Sequence, residues 1–222
     1  MKIQNIIACV FDAYGTLFDV NSAAAKCKEK LGSRWEGFAN AWRTTQLEYT
    51  WLRSLMKKHK NFWEITEDSL DHTMETFKIK KEMKNELLNL YKELSPYPEV
   101  KECLEGLKSK KIKIAILSNG TPDLLKGLVE NNNIQDYFDD IFSIESVGIY
   151  KPDPKVYEIP IKKYGCKPEN ICFMSSNTWD VSGGGVFGYK AVWVNRLNKV
   201  FDKLSYKPKF VINNLKELLE II

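Results

Sequence analysis

The chain has 222 residues, 44% hydrophobic and 28% charged, which allows a real core and places it among globular proteins. Its net charge of +4 comes mainly from lysines spread along the chain, so no nucleic-acid partner is expected. The first apolar run, Ile6 to Phe11, is too short for a signal segment or membrane span, and the five cysteines lack metal-ligand or redox spacing. A cytoplasmic protein with reduced thiols and no membrane partner is expected.

In chain order, Ile6 to Phe11 reads as a buried strand, short, rich in β-branched residues and ending at Asp12 with Gly15 close behind. Asp12 is either the opening of a turn or a carboxylate presented at the carboxyl end of a strand, where an open parallel sheet forms its ligand crevice. Asn21 and Ser22 are candidate caps for a helix over Ala23 to Leu31, and a longer helix starts near Ser33. On that helix Trp35, Phe38, Trp42, Tyr49, Leu52 and Met56 recur at intervals of three, four or seven, the pattern of a packed stripe. Arg43, Leu47 and Trp51 follow at four-residue steps on a secondary face. Arg43 is one of only four arginines, and it either cradles a dehydrated anion or snorkels over the stripe.

Helices over Thr66 to Lys78 and Lys81 to Leu94 end at the breaker Ser95-Pro96-Tyr97-Pro98. Residues 20–95 therefore read as an all-helical cap inserted into an α/β core formed by residues 1–19 and 96–222. From Glu99 helices and strands alternate: a helix at Val100 to Lys108, strand Ile112 to Leu117 ending at Ser118-Asn119-Gly120, a helix from Pro122, and strand Ile141 to Ile144. Lys151-Pro152-Asp153-Pro154 then opens a helix, Ile171 to Met174 leads into a loop from Ser175 to Asp180, and strands Ala191 to Val194 and Phe210 to Ile212 close the chain. The expected fold class is α/β, a Rossmann-like parallel sheet flanked by helices with a helical cap.

Such a sheet delivers Asp12, Ser118, Asn119 and the Ser175 to Asp180 segment to one crevice, with Lys151 in reach. In that order the motifs Asp12-x-x-Gly15-Thr16-Leu17, Ser118-Asn119-Gly120, Lys151-Pro152 and the loop ending in Asp180 resemble the haloacid dehalogenase superfamily. Phosphatases of that superfamily carry an acid/base Asp where this chain has Tyr14, and Gly-Asp where it has Ser175-Ser176. With a metal-ligand carboxylate missing and Lys151 and Arg43 balancing Asp12 and Asp180, neither a metal nor another cofactor is expected.

Trp42-Arg43, Gln46 to Leu55, Tyr150 to Asp153, Tyr157-Glu158 and Ser175-Ser176-Asn177-x-Trp179-Asp180 narrow the resemblance to the L-2-haloacid dehalogenases. The resemblance implies that Asp12 displaces halide from a small 2-halocarboxylic acid with inversion. Water activated by Asp180 and positioned by Ser175 and Asn177 then hydrolyses the aspartyl ester. Lys151 keeps Asp12 ionised: at about 4 Å and an effective dielectric near 20, opposite charges attract by roughly 4 kcal/mol.

The resemblance also implies that Ser118, Lys151 and backbone N–H groups near Tyr14 and Asn119 hold the substrate carboxylate, that Arg43, Asn119 and Trp179 receive halide, and that Tyr14, Leu47, Phe62 and Trp179 wall the pocket. Thr16 and Tyr157 match positions used to place Asp12 and the Lys151 network, or else give structural support. Thr44 stands where the family often has Gln. A homodimer is expected from the same resemblance.

Rival readings are a phosphatase of the same superfamily and a non-catalytic relative. Gly183 to Gly188 formally matches G-x-G-x-x-G but does not directly follow a strand, so these glycines read as letting a helix approach the sheet behind Asp180. His59 and His72 lie on charged or polar stretches of the cap, and no G-x-S-x-G or P-loop occurs.

Overall fold

The computed structural model describes residues 2–222. Six parallel strands form one sheet: β1 (Ala8–Phe11), β2 (Lys113–Ser118), β3 (Asp140–Ser143), β4 (Ile171–Ser175), β5 (Lys190–Val194) and β6 (Phe210–Ile212), in the order β3-β2-β1-β4-β5-β6. β1 and β4 are buried along their whole length, and β2 is buried after Lys113. Near-continuous apolar runs of this kind fit strands covered on both faces. The edge strands β3 and β6 are partly exposed. Chain order reverses direction between β1 and β4, and such a reversal opens a crevice at the carboxyl ends of the strands.

The helices are α1 (Ser22–Lys26), α2 (Lys28–Leu31), α3 (Trp35–Leu55), α4 (Phe62–Phe77), α5 (Lys84–Tyr91), α6 (Val100–Ser109), α7 (Pro122–Asn131), α8 (Pro154–Tyr164), α9 (Thr178–Phe187) and α10 (Leu218–Ile221). No helix among the described residues is long and apolar enough to cross a membrane.

Several local expectations are corrected. The first strand begins at Ala8, two residues later than expected, and Ile144 leaves β3 for a single 3₁₀ turn. The helix expected over Ala23 to Leu31 is two pieces. The Cys27 N–H tightens onto the Ala24 carbonyl, and Asn21 gives no side-chain cap. Asp19 is the anchor instead: its Oδ1 accepts from the Asn21 N–H and its carbonyl from the Ser22 hydroxyl.

α4 begins four residues before Thr66 because Asn61 and Glu64 form a reciprocal capping box, each side chain accepting the other's backbone N–H. The last cap helix starts as a 3₁₀ turn at Lys81–Met83 and α5 ends at Tyr91, short of Leu94. On α3 the buried line is Phe38, Ala39, Trp42, Gln46 and Thr50, while Leu52 and Met56 are exposed. The apolar spacing misplaced the end of the stripe because its inner positions there are polar.

Two strands of chain join the helical segment to the sheet domain. The Asp19 N–H donates to the Ser95 carbonyl and the Tyr97 N–H to the Leu17 carbonyl. Arg196, following β5, packs over the Tyr97 ring at 3.8 Å, donates to the Thr16 carbonyl at 2.8 Å and pairs with Glu99.

Candidate active site

Asp12 follows β1 directly, its backbone N–H extending the ladder to the Met174 carbonyl of β4, so its side chain stands at the reversal of strand order. It is 5% exposed. Its two oxygens have different surroundings. Oδ1 accepts from Lys151 Nζ at 3.2 Å, whereas Oδ2 accepts from Thr16 Oγ1 at 3.1 Å, Ser175 Oγ at 3.3 Å and Asn177 Nδ2 at 2.8 Å. The other Asn177 amide contact goes to the Tyr14 carbonyl, so the side chain braces the loop after β1.

Lys151 is fully buried between Asp12 and Asp180, 2.9 Å from Asp180 Oδ2, and sits 5.1 Å from the centre of the Phe173 ring. Burial opposes its positive charge, yet the two carboxylates outweigh that and hold its pKa above the ordinary lysine value. For Asp180 the balance falls the other way. Burial, reinforced by Asp12, outweighs the help of Lys151 and Tyr157, and the carboxyl is pushed up to about 6. Tyr157 donates to Asp180 Oδ1 at 2.7 Å.

Asp180 lies in the first turn of α9, where the sequence placed it at the end of a loop. A carboxylate there meets the positive end of a helix dipole. The glycines read as close-approach positions are inside that helix. A Cβ at Gly184 would stand 2.8 Å from the Phe173 ring of β4, and one at Gly183 would stand 2.5 Å from the Tyr157 hydroxyl.

Ser118 ends β2, with its Oγ accepting from the Gly120 N–H, and Asn119 Oδ1 accepts from the Lys151 N–H. Tyr14 packs on Phe62 and Tyr91 with ring centres 5.1 and 5.8 Å away, and its buried hydroxyl has no partner among the described residues. Burial first, then Tyr91, push that phenol well above its usual pKa, with Arg43 pulling the other way. Trp179 meets Trp51 edge to face at 5.4 Å, joining α3 to α9. Leu47 is half-buried one turn beyond Arg43.

Arg43 departs from expectation in one respect: its hydrogen bond goes to Gln46 Oε1, 2.9 Å away, and not to the carboxylates. Locally, then, one ammonium serves two carboxylates. Among the described residues no three His, Cys, Asp or Glu side chains are grouped to hold a metal ion, and Lys151 fills the space between Asp12 and Asp180.

Sequence reading also missed Glu145. Its Oε1 accepts from the Phe62 N–H, one of the open donors at the start of α4, and its Oε2 meets His59 at 2.9 Å. A glutamate in a short connection carries no sequence signal for such a contact. The Tyr150 hydroxyl donates to the Lys60 carbonyl nearby. A cleft of about 650 Å³ lies alongside, lined by Asn61, Trp63, Lys92, Thr121, Asp123 and Glu145, among others.

Residues 6–188 match the hydrolase family described as haloacid dehalogenase-like hydrolase, which sets the class. (S)-2-haloacid dehalogenase 1 of Pseudomonas sp. (strain CBS-3) is 40% identical over 98% of this chain and 96% of its own length, and (S)-2-haloacid dehalogenase 4A of Burkholderia cepacia is 38% identical over 99% and 96%. The structure of L-2-haloacid dehalogenase from Xanthobacter autotrophicus with chloropropionic acid covalently bound is 34% identical, with a TM-score of 0.90, and covers 97% of both chains. The chain belongs to the haloacid dehalogenase-like hydrolases and, within them, to the (S)-2-haloacid dehalogenase family.

Proposed function

We propose that the protein hydrolyses L-2-haloacids to D-2-hydroxy acids through an ester on Asp12, without a metal ion. The observation that carries this reading is the buried Asp12–Lys151–Asp180 cluster with Tyr14 and Ser175-Ser176 beside it, where phosphatases of the superfamily carry further carboxylates. The covalently bound chloropropionic acid of the Xanthobacter relative supports the ester.

Asp12 Oδ1, with a single donor against three on Oδ2, is the oxygen freer to attack C2. The O–C bond forms opposite the carbon–halogen bond, which breaks with its electron pair leaving on halide, so C2 inverts. Oδ2 becomes the ester carbonyl. Thr16, Ser175 and Asn177 then serve as preorganised donors for the negative charge that develops there when water adds. Asp180 takes one proton as the water oxygen bonds to Asp12 Cγ. The bond from Cγ to the substrate oxygen then breaks, the departing alkoxide takes the remaining hydroxyl proton to become the hydroxy acid, and Asp180 releases its proton to solvent, so both carboxylates are restored.

A carboxylate nucleophile needs no proton removed but must be ionised and poorly hydrated, and the burial of Asp12 beside Lys151 meets both needs. Ser118, Lys151 and N–H groups near Tyr14 and Asn119 hold the substrate carboxylate. Arg43, Asn119 and Trp179 receive halide, and Tyr14, Leu47, Phe62 and Trp179 line the acyl side. The test is halide release from each enantiomer of 2-chloropropionate with EDTA present, with chiral analysis of the product. The reading requires chloride from the L enantiomer and D-lactate, at a rate unchanged by EDTA. Magnesium-dependent release of phosphate from phosphate esters in place of halide would refute it.

A further inference from the structure

Gln46 is 1% exposed on α3, one turn after Arg43, and all its polar atoms are engaged. Its Oε1 accepts from Arg43 Nη1 at 2.9 Å, and its Nε2 donates to Thr66 Oγ1 at 2.7 Å and to the Tyr91 hydroxyl at 3.0 Å. Thr66 fixes which way the amide faces. Its only hydroxyl hydrogen goes to the Phe62 carbonyl at 2.7 Å, so toward Gln46 it can only accept, and the amide must present N–H₂ to Thr66 and its oxygen to Arg43.

Three cap helices are thereby tied to one guanidinium: α3 through Gln46, α4 through Thr66 and α5 through Tyr91. The same Tyr91 ring stacks on Tyr14 of the nucleophile loop, and Trp42 beside Arg43 donates to the Thr66 carbonyl at 3.2 Å. The cavity left between Arg43, Gln46, Tyr91, Trp42 and their neighbours is only about 10 Å³, near the least that holds a water. Nothing in this network is charged except Arg43. A neutral acceptor aims the guanidinium without neutralising it, which suits a group that must meet a departing anion.

We propose that Gln46 is a positioning residue for halide departure: it holds Arg43 at the angle from which the cation receives the leaving group. This rests on the dehalogenase reading above. Misplacing a charged group by about 1 Å costs up to roughly 100-fold in rate, and the cost is larger for a leaving group that depends more on assistance.

The experiment compares the unaltered protein with Gln46→Leu and Gln46→Glu on L-2-chloropropionate and L-2-bromopropionate, measuring kcat and KM for each. Gln46→Leu should lower kcat on the chloride roughly 10- to 100-fold, with a several-fold smaller loss on the bromide and KM within about threefold. Gln46→Glu keeps the shape but pairs Arg43 with a carboxylate, and should reproduce the chloride-selective loss. Thr66→Val, which removes the group that orients the amide, provides the same comparison if either substitution prevents folding.

Equal losses on both halides would mean a structural role only and overturn the proposal, as would unchanged kinetics. If the unaltered protein releases no halide, the dehalogenase reading fails and the proposal with it. If it does release halide and the halide ratio stays fixed in the variants, only the role of Gln46 fails.

Discussion

Lys151 lies between Asp12 and Asp180, and the two carboxylates differ in what else supports them. Asp12 has three further donors on its second oxygen, whereas Asp180 is fully buried with only Tyr157 besides the ammonium. Burial with so few donors leaves the Asp180 carboxyl raised. Its pKa near 6 in the folded chain lies above the ordinary carboxylate value, so between about pH 4 and 6 the native state binds more proton than the unfolded state. Its contribution to stability accordingly weakens as pH rises through that window. Activity moves the opposite way, because a base must be ionised: kcat should fall on the acid side with an apparent pKa at or below about 6, since the ester removes the Asp12 charge that helps raise it, and rapid quenching there should trap more of the ester on Asp12. A flat profile down to pH 4.5 would remove Asp180 as the base.

The residues at strand ends were legible in sequence because a short apolar run ending in Asp or Ser shows both the element and its cargo. Gln46, Thr66 and Tyr91 were not, since a polar residue on an amphipathic helix reads as solvated until the tertiary partner is known.

At the scale of elements, the close approach of α9 to α8 and β4 carries the arrangement around Asp180. A Cβ at Gly183 would stand 2.5 Å from the Tyr157 hydroxyl and 2.7 Å from Pro152 Cβ. Gly183→Ala gains up to about 1 kcal/mol in helix propensity. The clash, however, pushes the phenol off Asp180, and overpacking costs roughly 1 to 3 kcal/mol. The variant should lose thermal stability on balance. Because the Tyr157 hydrogen bond favours ionised Asp180, the acid limb of its pH profile should move upward; a profile unmoved from the unaltered protein's would show that this hydrogen bond does not tune Asp180.

Strand and glycine assignments held at this scale because burial on both faces leaves few alternatives to a continuous apolar run. Helix starts fared worse. The Asn61–Glu64 box sets the start of α4, and the polar inner face of α3 at Gln46 and Thr50 defeats apolar counting.

At the scale of the whole molecule, the loop after β5 reaches back to the loop after β1 and to the junction with the helical segment. The Arg196 guanidinium joins Thr16, Tyr97 and Glu99, and the Glu99 carboxylate also accepts from the Leu215 N–H. Burial raises the Glu99 pKa, but the Arg196 hydrogen bond and charge outweigh it and hold the carboxyl below its usual value. Both partners are about nine-tenths buried, so Arg196→Met strands a carboxylate and should cost roughly 3 to 5 kcal/mol in denaturant unfolding. Adding Glu99→Gln should recover part of that loss. Additive losses in the double variant would show that the two residues do not act as a pair. No sequence pattern announced this pair, whose residues are 97 positions apart.

The central claim, that Asp12 itself becomes bonded to carbon, is tested most directly by a single turnover in heavy-oxygen water with enzyme in excess over L-2-chloropropionate. The account predicts one heavy oxygen in the peptide containing Asp12 and none in the hydroxy acid, because water attacks the ester carbonyl. Heavy oxygen in the product with an unlabelled Asp12 would mean that water strikes C2 directly, and would contradict it.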